Sequence, residues 1–229
     1  MGDGDPGPPA DRPTVWLNCA VSLDGRLAFA EGVRARLSSP EDLERVQRLR
    51  ADVDGIVVGV GTVVLDDPSL RVHWELLHRT PGRVPSRIVL DGSGRTPEGA
   101  RVLDGSAPTI VATTERSHRS FPAHVRTVVA GTDQVDLARL FSELRRLGFR
   151  RLLVEGGSAV LASVVRARLF DRWTVYYAPV AIGGATAPPL LGGPETHGFD
   201  EAVRVELAGV ERVGDGYVAT YLPAGPAGG

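Results

Sequence analysis

Short apolar runs and amphipathic stretches alternate along most of the chain. Val15–Ala20 predicts a first strand, and Gly55–Gly59, Arg87–Leu90, Thr109–Ala112 and Arg151–Val154 are continuous apolar runs, with Arg126–Val129 a weaker one. Runs of that length suit strands buried on both faces of a parallel sheet. Between them, Pro40–Ala51 predicts a helix: Ser39 stands at the cap, Pro40 at the first position, and Leu43, Val46, Leu49 and Arg50 follow at helical spacing. Asp136–Leu147 is amphipathic and closed by Gly148, and Ser158–Leu169 predicts a further helix. The last third changes character: Trp173–Val180, Val203–Val210 and Tyr217–Leu222 read as strands, and Gly183–Pro194 as a long loop or lid. Alternation followed by a strand-rich end predicts an α/β domain whose mostly parallel sheet is finished by antiparallel strands. No repeat or linker interrupts residues 14–222, so one domain is expected between Gly/Pro-rich tails at 1–13 and 223–229 that read as disordered.

Composition narrows the chemistry. With 229 residues, 42% apolar and 24% charged, the chain is long enough for a sizeable core and has ordinary globular content. A net charge of −2 argues against nucleic acid or an anionic membrane as partner. No apolar stretch is long enough to span a bilayer and no export signal is seen, so the cytoplasm is the expected compartment. All 26 basic residues are arginine. That removes a Walker A loop, a pyridoxal Schiff base and any lysine nucleophile, although a GC-rich coding bias accounts for most of the arginines. Cys19 is the one cysteine, and His73 and His78 lack the spacing of a helical zinc pair, so neither a disulfide within the chain nor a metal site is expected.

Two glycine turns follow predicted strands. Gly59-Val60-Gly61-Thr62 offers backbone N–H groups to an anion, but Val64 replaces the third glycine of a Rossmann fingerprint, and a plain tight turn explains it equally well. Glu155-Gly156-Gly157-Ser158 joins a buried strand to a helix. A pyrophosphate could rest there with Glu155 at the strand's carboxyl end, or the glycines could be ordinary turn residues. A glutamate completing an apolar strand is the more informative feature, because an unpaired buried carboxylate costs several kcal/mol. Asp66-Asp67-Pro68 and Ser22-Leu23-Asp24-Gly25 also read as turns. His78, His118, His124 and His197 read as surface residues.

Taken in order, Asn18-Cys19-Ala20-Val21-Ser22-Leu23-Asp24-Gly25-Arg26, Leu49-Arg50-Ala51, Val58–Val63, Asp66–Leu70 and Leu153–Gly157 resemble the riboflavin-biosynthesis pyrimidine reductases, enzymes with a dihydrofolate reductase-like fold. The likeness covers roughly residues 14–222. Arg36-Leu37-Ser38 and Val72-His73 are similar to the stand-alone archaeal type, the 2,5-diamino-6-ribosylamino-4(3H)-pyrimidinone 5′-phosphate reductases, which lack a zinc deaminase domain. Arg71 departs from the commoner Thr, and Arg34 is additional charge.

The resemblance implies NADPH as cofactor, a phosphorylated pyrimidine as substrate, a homodimer, and hydride delivery to an imine at the sugar C1′. It implies cofactor contacts from Ala20, Thr62, Asp66, Asp91, Gly92, Ser93, Gly94, Gly156, Gly157, Ser158 and Ala159, with Val135 against the adenine. It puts Ser22, Asp24, Arg36, Arg50, Leu70, His73 and Glu155 on the substrate side. Glu155 is the leading catalytic candidate, by orienting the ring or moving a proton, and Arg36 and Arg50 are the candidates for the substrate phosphate. A sister enzyme reducing the deaminated pyrimidinedione or dihydrofolate, and a nucleotide-binding protein without turnover, remain alternatives.

Overall fold

The computed structural model describes residues 9–30 and 33–225. The elements run β1 (Thr14–Val21), α1 (Pro40–Ala51), β2 (Gly55–Gly59), α2 (Val60–Asp66), β3 (Ser86–Leu90), β4 (Thr109–Thr113), β5 (Val125–Val129), α3 (Leu137–Arg146), β6 (Arg151–Val154), α4 (Ser158–Arg166), β7 (Arg172–Tyr177), β8 (Val205–Val213) and β9 (Gly216–Pro223). The strands form one sheet in the order β5-β4-β3-β2-β6-β1-β7-β9-β8. Pairing is parallel from β5 through to β7 and antiparallel at β7–β9 and β9–β8. The α/β architecture expected from the pattern is the one observed.

Alternate residues of the strands serve two cores. Leu17, Val57, Ile88, Ile110, Leu152 and Val154 pack against Leu140, Phe141 and Leu144 of α3 and Leu161 and Val164 of α4. On the other face Trp16, Ile56, Val58, Val89, Val111 and Leu153 meet Val60 and Val63 of α2, Val102 and Leu103, and Leu49 of α1. Both faces are therefore covered, which is why the strands read as unbroken apolar runs.

Four local expectations change. In α1 the Ser39 hydroxyl caps the helix as expected, accepting the Asp42 N–H, but Asp42 and Gln47 are buried while Leu43 is 50% exposed. Polar pairing turns the helix: Asp42 accepts from Arg45, and Arg45 also donates to Asn18 of β1 at 2.8 Å. α2 is a helix rather than a plain turn. Arg12, expected in the N-terminal tail, is tied to the body by a two-pronged ion pair with Asp171 (2.6 and 2.8 Å). The expected tail residues 1–8 and 226–229 lie outside the described residues. Finally, the 183–194 stretch is no free lid. Leu27 N–H donates to Pro188 O, Leu190 N–H to Gly25 O and Gly192 N–H to Ser158 O, and the Ser158 hydroxyl donates to Pro189 O. The loop is a wall fixed between the turn after β1 and the start of α4.

Candidate functional site

Because β1 and β3–β6 run parallel with β2, their carboxyl ends gather at one edge, where ligands of open α/β sheets bind. The segments that follow them carry the residues singled out above: Ser22–Asp24 after β1, Gly61–Thr62 after β2, Asp91–Gly94 after β3 and Glu155–Ala159 after β6.

At the centre of this edge two helices start side by side from adjacent strands. Gly59 caps α2 and Gly157 caps α4, both extended, with no side-chain cap and no acidic residue in either first turn. Their first N–H groups therefore lack the partners that a Ser or Asp cap supplies. A Cβ on Gly157 would lie 3.2 Å from Thr62 Oγ1, so the two helix starts are in near contact. Gly156 and Gly59 have a different reason to be glycine. Cβ atoms there would come within 2.5 and 2.6 Å of the Val160 side chain, so both keep α4 close to the sheet. Uncapped donors, absent acidic groups and a close-approach glycine fit a diphosphate.

Beside these turns Glu155 is not an unpaired carboxylate. Arg50, in the last turn of α1, donates from Nε to Oε1 (2.9 Å) and from a terminal nitrogen to Oε2 (2.7 Å). Side-chain exposures are 17% for Arg50 and 11% for Glu155. A bidentate pair of this kind removes the desolvation problem that the sequence posed. Burial opposes the charge on Arg50, but Glu155 outweighs it and holds the guanidinium above the usual arginine range. A third donor of Arg50 goes to the Arg71 carbonyl at 3.0 Å. Arg36, by contrast, is exposed, with no ion-pair partner among the described residues.

Farther along the edge, Gly92 and Val135 are neighbours, since a Cβ on Gly92 would lie 3.7 Å from Val135 Cγ2. The Asp91 carboxylate is buried and already accepts from the Arg95 and Thr96 N–H groups and the Thr96 hydroxyl. It shapes the turn, and its backbone is engaged as well, the N–H donating to the Ala112 carbonyl (2.8 Å) and the carbonyl accepting from the Gly94 N–H (3.4 Å). Ser22 and Asp24 are likewise engaged within the fold. The Ser22 hydroxyl donates to Asp24 (2.8 Å), and Asp24 accepts the N–H groups of Ile182 (2.9 Å) and Gly183 (2.7 Å). These bonds, the Ile182 N–H first, draw the Asp24 carboxyl down to about 2. Ala20 is half-buried beside Tyr176, Ala178 and Val218.

The two departures from the family pattern are both paired. Arg34 Nε lies 3.7 Å from the Asp66 carboxylate, and Arg71 donates to Asp104 at 2.9 Å, away from Glu155. Leu70 is buried with φ +48°, and the His73 N–H donates to the buried Gln47 side chain (2.9 Å). Sequence reading missed Gln47, Thr114 (its hydroxyl donates to the Gly92 carbonyl, 2.6 Å), Arg119 (to the Gly94 carbonyl, 3.1 Å) and Asp104. Gln47, Thr114 and Arg119 act on backbone far away in the chain, and Asp104 on the distant Arg71 and Arg87 side chains, which no local spacing reveals.

Comparison with known proteins gives this arrangement a family. The RibD C-terminal domain model matches residues 13–219. The chain is 39% identical over 218 residues to a 2,5-diamino-6-ribosylamino-4(3H)-pyrimidinone 5′-phosphate reductase of Methanothermobacter thermautotrophicus, covering 93% of this chain and 100% of that one. It is 38% identical to the Archaeoglobus fulgidus protein of the same name, covering 91% and 97%. The solved structure of Acinetobacter baumannii RibD superposes with a TM-score of 0.79 at 23% identity, over 94% of this chain but 59% of that one, a likeness of fold. The chain belongs to the RibD C-terminal domain family.

Proposed function

We propose that this protein is an NADPH-dependent reductase that converts the ribosylamino group of 2,5-diamino-6-ribosylamino-4(3H)-pyrimidinone 5′-phosphate to ribitylamino in riboflavin biosynthesis. The observation that carries the reading is the pair of uncapped helix starts at Gly59 and Gly157 beside the Arg50–Glu155 pair. Uncapped helix starts beside an ordered hydrogen-bond acceptor support a diphosphate site next to a ring-binding carboxylate. The two archaeal relatives matched over nearly their whole length are named as reductases of this pyrimidinone phosphate, which supports the substrate and the reaction class.

NADPH, when bound, supplies the hydride. In this reading the N–H groups of the α2 and α4 starts hold its diphosphate, with Gly157 leaving room for close approach. The Gly92–Val135 end of the edge receives the adenine half. Glu155, gripped by Arg50, accepts hydrogen bonds from the pyrimidine's amino groups and fixes the ring. Arg50 is engaged by Glu155 and Arg71, so Arg36 is the ligand we assign to the substrate phosphate. Asp24 acts one step back by pinning the start of the 183–194 wall through Ile182 and Gly183, which limits water at the reacting carbons. Those carbons must be held about 3–3.5 Å apart. NADPH and a phosphorylated substrate place this chemistry in the cytoplasm.

Substrate choice is tested by kcat/KM for the diamino pyrimidinone and its deaminated dione at saturating NADPH. The diamino compound is expected to be preferred, because a site built to accept from an NH₂ leaves its acceptor unpaired against a carbonyl. Preference for the dione contradicts the choice of the diamino compound as substrate; turnover of neither contradicts the assignment.

A homodimer belongs to the same reading, but its surface moves. Trp173–Tyr177, an apolar and aromatic run that suggests from sequence a surface a monomer would have to cover, lies in β7 between β1 and β9, with Trp173–Tyr176 buried. The outward surface is β8, at the edge of the sheet, with Leu207 and Val210 almost three-fifths exposed. An exposed nine-residue edge strand that presents Leu207 and Val210 among its charged residues offers a surface for pairing. Light scattering is expected to give twice the chain mass for the wild type and a monomer for Val210→Asp. A wild-type monomer at micromolar concentration contradicts the dimer.

A further inference from the structure

The turn at 101–106 belongs to none of the motifs above, yet it fixes both ends of the segment carrying Leu70. At the near end the Asp67 carboxylate accepts the Arg101 N–H (2.8 Å). At the far end the Arg71 guanidinium donates to Asp104 Oδ2 (2.9 Å). Between them Leu70 holds a left-handed φ of +48° while buried, a conformation that a leucine keeps only when its surroundings over-determine it.

Asp104 is itself anchored. Its Oδ1 accepts from the Ser106 hydroxyl (2.6 Å), the Ser106 N–H (2.9 Å) and the fully buried Arg87 (2.7 Å). The Ser106 hydroxyl first, then Arg87, hold its carboxyl far below the usual carboxylate range. Beyond Arg71, the Arg71 carbonyl accepts from Arg50, which grips Glu155. Contacts thus run unbroken from the buried Arg87 through Asp104, Arg71 and Arg50 to Glu155.

We propose that Asp104 is a positioning residue of the pyrimidine site, acting through Arg71 to fix the Leu70 backbone and the Arg50–Glu155 pair. This rests on the reading that Glu155 faces the pyrimidine. An ion pair whose Arg71 side chain is half exposed adds little to stability. Its use is geometric: Arg87 and Ser106 have already ordered the acceptor, so one side chain remains to be fixed. Arg71 is long enough to reach that acceptor from the segment carrying Leu70.

The two oxygens of Asp104 have separate duties, and that sets the test. Asp104→Asn keeps one acceptor for Ser106 and Arg87 and turns an NH₂ toward Arg71, where it repels. Asp104→Asn and Arg71→Ala are each expected to lower kcat/KM for the diamino pyrimidinone about fivefold. The NADPH dissociation constant should stay at the wild-type value in both, and Tm in Arg71→Ala; Asp104→Asn also loses stability, because Arg87 keeps a fully buried charge with a poorer partner, and is assayed well below its Tm. Arg71→Lys, which keeps a donor, should recover most of the loss, and the double variant Arg71→Ala/Asp104→Asn should be no worse than either single one. Additive losses, unchanged pyrimidine kinetics in both single variants, or an equal loss of NADPH affinity overturn the proposal. Glu155→Gln assayed alongside separates the two layers. If it is impaired while Asp104→Asn and Arg71→Ala are not, the role of Asp104 alone fails; if it is normal, the reading of Glu155 fails and takes this proposal with it.

Discussion

Glu155→Gln is expected to lower kcat for the pyrimidine about a hundredfold, roughly 2.7 kcal/mol of transition-state stabilisation, while the NADPH dissociation constant holds. Glutamine keeps the shape of the side chain and replaces one acceptor oxygen by a donor. Arg50 presents two N–H groups to this carboxylate, at 2.9 and 2.7 Å. Only one can then be met, and the other faces an NH₂. The pair loses its fixed orientation, and the ring amine loses the acceptor that places the sugar C1′ for reduction. Stability also falls, by about 1–3 kcal/mol, because Arg50 keeps a largely buried charge with poorer partners. Tm therefore has to be measured with the kinetics, and the assay run well below it. Normal turnover at saturating cofactor combined with lost NADPH binding would reverse the assignment.

The second large effect separates two adjacent glycines. Gly157→Val is expected to weaken NADPH binding tenfold or more, about 1.4 kcal/mol, at nearly unchanged stability. Its Cβ meets only Thr62 Oγ1 at 3.2 Å, a contact relieved by a few tenths of an ångström, but it fills space that the diphosphate needs against the backbone. Gly156→Val should do the opposite. Its Cβ would lie 2.5 Å from Val160 Cβ, a stiff branched side chain on α4, and overpacking of this kind costs about 1–3 kcal/mol of stability. Isothermal titration and thermal melts on both variants check the contrast. A folded Gly157→Val protein with wild-type affinity would remove the cofactor from this turn.

Much of the fold could be read ahead of the structure because the sheet is buried on both faces. Gly55–Gly59 and Arg151–Val154 are unbroken apolar runs for that reason, and Ser39-Pro40 and Asp136 mark helix starts by local capping alone. Reading failed where long-range partners decide. An aromatic strand such as β7 can be edge or centre, and only its pairing with β1 and β9 makes it interior. The apolar spacing in α1 pointed Leu43 inward, but the bonds Asp42 and Gln47 make with Arg45 and the His73 backbone bury them instead. The candidate site divides in the same way. Gly156-Gly157 and Gly59 could be located from strand–glycine–helix order. The partner of Glu155 could not, since Arg50 precedes it by 105 residues and the contact exists only once α1 lies over β6.

The central claim is that this chain transfers hydride to the sugar carbon of the diamino pyrimidinone. The most direct measurement uses NADPH deuterated at the transferring position and the purified protein, and follows the label into product by mass spectrometry. One deuterium at C1′ of the ribitylamino chain per NADPH oxidised is the expected result. NADPH oxidised without label at C1′, or no oxidation with a freshly prepared diamino substrate, would contradict it.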